Sequence, residues 1–216
     1  ELAEKGWSPN QILTSTPRIM DLASVSNMGL KETAEITAAA LNAFQIDASR
    51  TGEVTDILQS SANKSSANIA YMGESLRTAS GFAHLMGMSL TDTVALIGAM
   101  SQSGQKASDS GYALSTMFQR LINPTMRGTA SLVAIQDIFD VTGRKKSDFF
   151  DHKTIRKGKV MAFLKVVEEY RRKVTPERFG SNFARIAGAK GGRLLQMFAY
   201  KDMGTGKTGL DEAVKL

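Results

Sequence analysis

The 216 residues predict an all-α fold: a multi-helix array with two pseudo-repeated helical units of about 60 residues, followed by a basic helical region. Three observations carry this. Apolar residues recur at three- and four-residue spacings in segment after segment, as one buried helix face requires. The segments begin and end in capping and breaking residues. No stretch alternates apolar and polar residues between hairpin turns, so no strand is predicted.

Ser8-Pro9 reads as an N-cap followed by proline at the first helical position, and opens a helix to about Ser26 with Ile12, Ile19, Leu22 and Ala23 on its inner face. Met28-Gly29-Leu30 breaks it. Lys31 starts a second helix through Ala34, Ala38, Leu41 and Phe44. Thr51 to Ala62 is a third, and Asn68 to Met86 a fourth. After a break at Gly87, Thr91 to Ser101 is a fifth; Ser108 to Ile122 is a sixth, stopped by Asn123-Pro124 because the residue before proline is driven out of the helical region. Gly128 to Val141, Lys157 to Lys173, a helix from Pro176 through Ile186, and Arg193 to Tyr200 complete the series. Between them, Thr142 to Lys159 reads as an irregular connector.

The repeat lies in the first part. Leu30-Lys31-Glu32-Thr33 aligns with Leu90-Thr91-Asp92-Thr93, sixty residues on, and Ala23, Met28, Ala39 and Gln45 meet Ala83, Met88, Ala99 and Gln105. One residue out of step, Ala48 to Gly52 aligns with Ala107 to Gly111. A supersecondary unit repeated in tandem can pack face to face or stack as a solenoid. Residues 1–125 are therefore expected to form a repeat-containing helical domain, 126–203 a basic helical region with the connector, and 204–216 a flexible Gly/Thr-rich segment and tail. Gly87, Gly104 and Gly111 are expected at tight turns or close helix approaches.

The chain has no cysteine, which excludes disulfides, thiolate metal sites and cysteine nucleophiles. No apolar run reaches the ~18 residues of a membrane span. His84 and His152, the only histidines, have no second ligand at a metal-site spacing and read as a partly buried helix residue and a loop residue. Gly204-Thr205-Gly206-Lys207-Thr208 resembles the end of a phosphate-binding loop, but Lys201 stands where the pattern needs glycine. Gly188 to Gly192 fails the dinucleotide pattern and reads as a tight turn between helices. Glu168-Glu169 is expected to pair along its own helix, with Arg172 and Lys173. No catalytic, cofactor-binding or metal-binding residue is expected, and no cofactor.

Charge is unevenly spread. Residues 1–110 hold 7 Lys and Arg against 11 Asp and Glu; residues 111–216 hold 20 against 10. A basic half points to an anionic neighbour or to a solvated helical surface. The candidate anion- or DNA-facing residues are Lys153, Arg156, Lys157, Lys159, Arg171, Arg172 and Lys173.

Several motifs, in order, resemble the core region of tail tape measure proteins from long-tailed bacteriophages and prophages. They are Leu22-Ala23, Leu41-Asn42-Ala43-Phe44 with Ile46-Asp47-Ala48, Ala62-Asn63-Lys64-Ser65, Gly87-Met88-Ser89-Leu90-Thr91-Asp92-Thr93, and Ser103-Gly104-Gln105-Lys106-Ala107-Ser108 with Gly111. Leu121 with Pro124, and Phe179-Gly180 with Ala184 through Leu195, extend the likeness over roughly residues 1–200. The chain departs from the pattern in its basic connector and in Arg178, where an isoleucine is expected before Phe179-Gly180. The resemblance implies a structural protein of the virion, in the tail lumen, and in the host cytoplasm during assembly. It implies scaffolding of tail-tube assembly, setting of tail length and release on DNA ejection. The implied partners are tail tube proteins, tail tip or baseplate proteins, assembly chaperones and further copies of the chain, with DNA or host membrane met on ejection. The alternative is a basic helical module that binds nucleic acid or an anionic membrane surface during genome delivery. A helix is a natural ruler at about 1.5 Å per residue, whereas a compact repeat domain is a poor one.

Overall fold

The computed structural model describes residues 2–125, 129–188 and 192–199. Among them are ten α-helices and one two-stranded hairpin. The first six helices are α1 (Pro9–Ser26), α2 (Leu30–Ala43), α3 (Thr51–Asn63), α4 (Ile69–Leu85), α5 (Leu90–Gln102) and α6 (Ala107–Ile122).

Local chemistry explains the ends of α1. The Ser8 hydroxyl accepts from the Gln11 amide at 3.3 Å, and the Gln11 side chain accepts from the Ser8 amide at 2.8 Å. These two reciprocal bonds satisfy donors that a helix start leaves orphaned. At the other end Asn27 turns left-handed, and the Met28 amide reaches back to the Ala23 carbonyl at 3.1 Å. The same closure ends α4: Gly87 is left-handed and the Met88 amide reaches the Ala83 carbonyl at 3.0 Å.

The 60-residue correspondence extends to the contacts between helices. Ser15 donates to the Ala48 carbonyl at 3.2 Å, pinning α1 to the start of α3; Ser75 donates to the Ala107 carbonyl at 2.9 Å, pinning α4 to α6. Thr33 and Thr93, the paired threonines of α2 and α5, both bond back to the carbonyl four residues earlier. So α1–α2–α3 and α4–α5–α6 are two copies of one helical unit. They differ in how tightly they close. A β-carbon on Gly111 would lie 2.5 Å from the Ser75 carbonyl oxygen, so α4 and α6 cross with backbone against backbone. At Gly52, the counterpart, the nearest neighbour is the flexible Arg18 side chain at 3.4 Å.

Then come α7 (Ala130–Thr142), strands β1 (Phe150–Asp151) and β2 (Thr154–Ile155), α8 (Val160–Lys173), α9 (Pro176–Ala187) and α10 (Gly192–Ala199). The hairpin falls where the sequence reads as an irregular connector, with Phe150 opposite Ile155 and His152 left-handed in the turn. Strands of two residues cannot display alternation, so no periodic signal announces them. Phe150 and Ile155 are buried, and Phe150 meets the edges of Phe163 and Phe139 at 5.2 and 6.0 Å. Helix α8 starts at Val160 rather than Lys157, because Gly158 is left-handed and gives its amide to the Met86 carbonyl at 2.7 Å. Phe198 of α10 packs edge-on against Phe183 and Phe179 of α9, at 5.0 and 5.6 Å. Buried apolar side chains run as one cluster from Trp7 to Phe198.

Gly111→Val is expected to destabilise the chain by about 2–4 kcal/mol, since backbone and not a movable side chain faces the added carbons. Gly81→Ala, exposed on α4 with open space around it, is expected to raise stability by up to about 1 kcal/mol. Urea denaturation of the two variants checks both.

Candidate functional surfaces

The seven candidate cations do not form one surface. Lys153 stands at the hairpin turn, and Arg156, Lys157 and Lys159 follow β2; all four side chains are exposed. The stem of Lys157 also lies over Gly87, where a β-carbon would meet its Cγ at 2.4 Å, so this residue helps hold the hairpin against the end of α4. Arg171, Arg172 and Lys173 sit at the far end of α8, about 20 Å away along the helix axis. There they meet carboxylates. Glu168, only 5% exposed, accepts from Arg171 at 2.7 Å and from Arg172 at 3.2 Å. Glu169 accepts from Lys173 at 2.9 Å and from Arg144 at 3.1 Å. The i,i+4 pairs read from sequence are therefore present, and Lys173 and then Arg144 hold Glu169 below the usual carboxylate range. The densest positive charge lies instead around the hairpin, where residues 143–159 carry seven Lys and Arg against two Asp, with Arg144 among the seven paired to Glu169.

A second arrangement was not read from the sequence. Asp137 on α7 accepts from the Tyr170 hydroxyl of α8 and from Arg178 and Asn182 of α9. Asn182 also donates to the Tyr170 oxygen at 2.7 Å. Tyr170 and Asn182 are buried, and Asp137 is half-buried. This brace joins three helices. Arg178 above all lowers the Asp137 pKa, with help from Tyr170 and Asn182, while burial pushes the Tyr170 hydroxyl up. The signal was available: Tyr170 continues the apolar stripe of Phe163 and Val167, and a phenol on a buried stripe needs a partner for its hydroxyl. Arg178, the departure from the expected isoleucine, is that carboxylate's ion-pair partner.

His84 is half-buried and edge-on to Phe44 at 6.3 Å, and His152 is exposed in the hairpin turn. Among the described residues, no cluster of three or more His, Asp or Glu is placed to hold a metal, and no helix is long and apolar enough to cross a membrane. The Gly204–Thr208 stretch and most of Gly188 to Gly192 lie outside the described residues.

Against this helical framework, the family model for the phage-related minor tail protein matches residues 1–174. The chain belongs to that family. It is similar to a tape measure protein of Pneumococcus phage Dp-1, with 35% identity over 124 residues, which is 57% of this chain and 11% of that protein. It is also similar to a probable tape measure protein of Escherichia phage P2, with 23% identity over 180 residues, covering 83% of this chain and 20% of that protein. The chain thus spans only a small part of either relative's length. No solved structure matches it. A structural role in the phage tail follows from the family, and the core-region resemblance read from Leu41-Asn42-Ala43-Phe44 and its companions is borne out.

Because Arg178 depresses the Asp137 pKa, the brace stabilises the fold above the ordinary Asp range and loses that contribution as pH falls through the lowered value. Asp137→Asn, which imitates the protonated acid, is expected to be less stable than the parent at pH 7. The gap should narrow as pH falls below about 4. Urea melts between pH 7 and pH 2 measure it.

Proposed function

We propose that the chain acts within a tape measure protein in tail-tube assembly and the setting of tail length, from the tail lumen, and that it leaves with the protein on DNA ejection. It does so as a folded body and not as a length of extended helix. One observation carries this reading: the two 60-residue units are closed by the crossings of α1 with α3 and α4 with α6, and share one apolar cluster with α7–α10. Opening the units would expose Leu58, Met72, Leu96, Ile97, Leu114 and Phe118, all at most 1% accessible now. Each such side chain contributes about 1.5–3 kcal/mol by its burial, so extension is strongly opposed. The length measured out along the tube then comes from other parts of the polypeptide. This body supplies surfaces for tube, tip or chaperone proteins.

The test is tail length, by electron microscopy, in a phage whose tape measure gene lacks the codons for the whole segment from Leu2 to Ala199. Extended helix of that length would span about 300 Å at 1.5 Å per residue. Tails that change by less than about 50 Å, roughly the width of a domain of this size, support the folded reading; a loss near 300 Å contradicts it.

A further inference from the structure

The hairpin turns its apolar residues inward and leaves its cations in solvent. Phe150 and Ile155, opposite one another in the ladder, are buried, and Phe149 is half-buried against Phe139 at 5.4 Å. A short 3-10 turn, Lys146–Asp148, packs beside β1, and the Gly158 amide ties the other end of the segment to the Met86 carbonyl at 2.7 Å. Along this framework Lys145, Lys153, Arg156, Lys157 and Lys159 are exposed and Lys146 is half-buried. Aromatic packing and hydrogen bonds thus fix the backbone that carries the six charges.

Those charges are unanswered within the chain. Arg144 meets Glu169, but among the described residues no carboxylate lies within 4.0 Å of the other six cations between residues 143 and 159. By contrast Arg50, Arg77, Arg171, Arg178 and Arg193 each meet a carboxylate. Nor is any apolar side chain exposed in this stretch. The large exposed apolar side chains lie outside it, Leu13 and Met20 of α1 among them.

That combination selects the partner. A specific protein interface is built around a desolvated, largely apolar or aromatic centre, which the hairpin does not offer. A firm hold on a membrane adds an apolar face or a lipid chain to the charge. Single-stranded nucleic acid is held by stacking on exposed aromatic rings, and Phe149 and Phe150 are turned inward. The phosphate backbone of a duplex requires chiefly positive charge at reach.

We propose that the six unpaired cations of the hairpin segment bind the phosphate backbone of duplex nucleic acid without reading its sequence. Strands of two residues present no row of side chains to base edges, so sequence independence follows from the geometry. The binding is electrostatic and of the non-specific class, about 10⁻⁴–10⁻⁶ M at physiological salt. It goes beyond the role in tail assembly and rests on the charge and exposure of the hairpin alone, so either can fail without the other.

Fluorescence anisotropy of a labelled mixed-sequence DNA duplex of about 30 base pairs, titrated with the full chain between about 50 and 200 mM salt, tests the proposal. Four or five neutralised phosphates predict a slope of log affinity against log salt of about −3.5 to −4.5. Two variants remove the same amount of charge. Lys153→Gln with Arg156→Gln is expected to weaken binding about tenfold or more at the lowest salt and to reduce the slope by about 2. Arg172→Gln with Lys173→Gln, at the end of α8 where Glu168 and Glu169 already engage both, is expected to change the affinity less than about threefold. Equal weakening by the two pairs overturns the proposal, because net charge and not the hairpin would then hold the duplex. A Kd weaker than about 1 mM at the lowest salt overturns it too. So does hairpin-dependent binding to vesicles of about one-third phosphatidylserine without binding to the duplex, which would assign the surface to a membrane.

Discussion

The structure depends on the crossing of α4 over α6, where the backbone at Gly111 rests on the carbonyl of Ser75. A close approach of this kind lets side chains on both sides of the contact interlock, and it places Ser75 within reach of the Ala107 carbonyl. Everything around it follows. Helix α5 is held between α4 and α6 and is buried along almost its whole length. Unit one docks through Ile36 against Gly73, on the neighbouring side of α4. On α6, Asp109 pairs with Arg193 of α10, bringing the C-terminal helices over the same core. The looser counterpart crossing at Gly52 shows that the unit can close without a backbone contact, but the centre of the molecule is the tight copy.

Much of this was legible in the sequence because it is written in local chemistry. Ser8-Pro9 marks a helix start by capping, and Asn123-Pro124 marks a stop by steric exclusion. The offset of sixty between Ala23–Met28 and Ala83–Met88 appears in the structure as the same backbone hydrogen bond made twice. Gly87, Gly104 and Gly111 stand at two left-handed turns and one close approach. What escaped was non-local. The hairpin at Phe150–Ile155 is too short for a period, and it owes its place to Phe139 and Phe163 on other helices. The brace at Asp137 draws its partners from positions 33 to 45 residues further on. Charge counts alone also grouped seven cations that the length of α8 keeps apart, three of them already engaged by Glu168 and Glu169.

Several of the chain's buried polar groups join helices: Ser15 and Ser75 at crossings, Ser131 at the end of α9 through the Arg185 carbonyl, and Tyr170 with Asn182 around Asp137. The cationic hairpin and the apolar face of α1 remain directed outward, on the two parts of the chain that differ most in charge. Contacts made through the first surface would weaken with salt, and contacts made through the second would not.

The central claim is that the described residues between Leu2 and Ala199 form one compact body. Small-angle X-ray scattering of the isolated chain tests it most directly. Compact packing predicts a radius of gyration of about 17–20 Å for a chain of this length. A value on the order of 90 Å, as expected for the same residues drawn out in a continuous helix, would contradict the account.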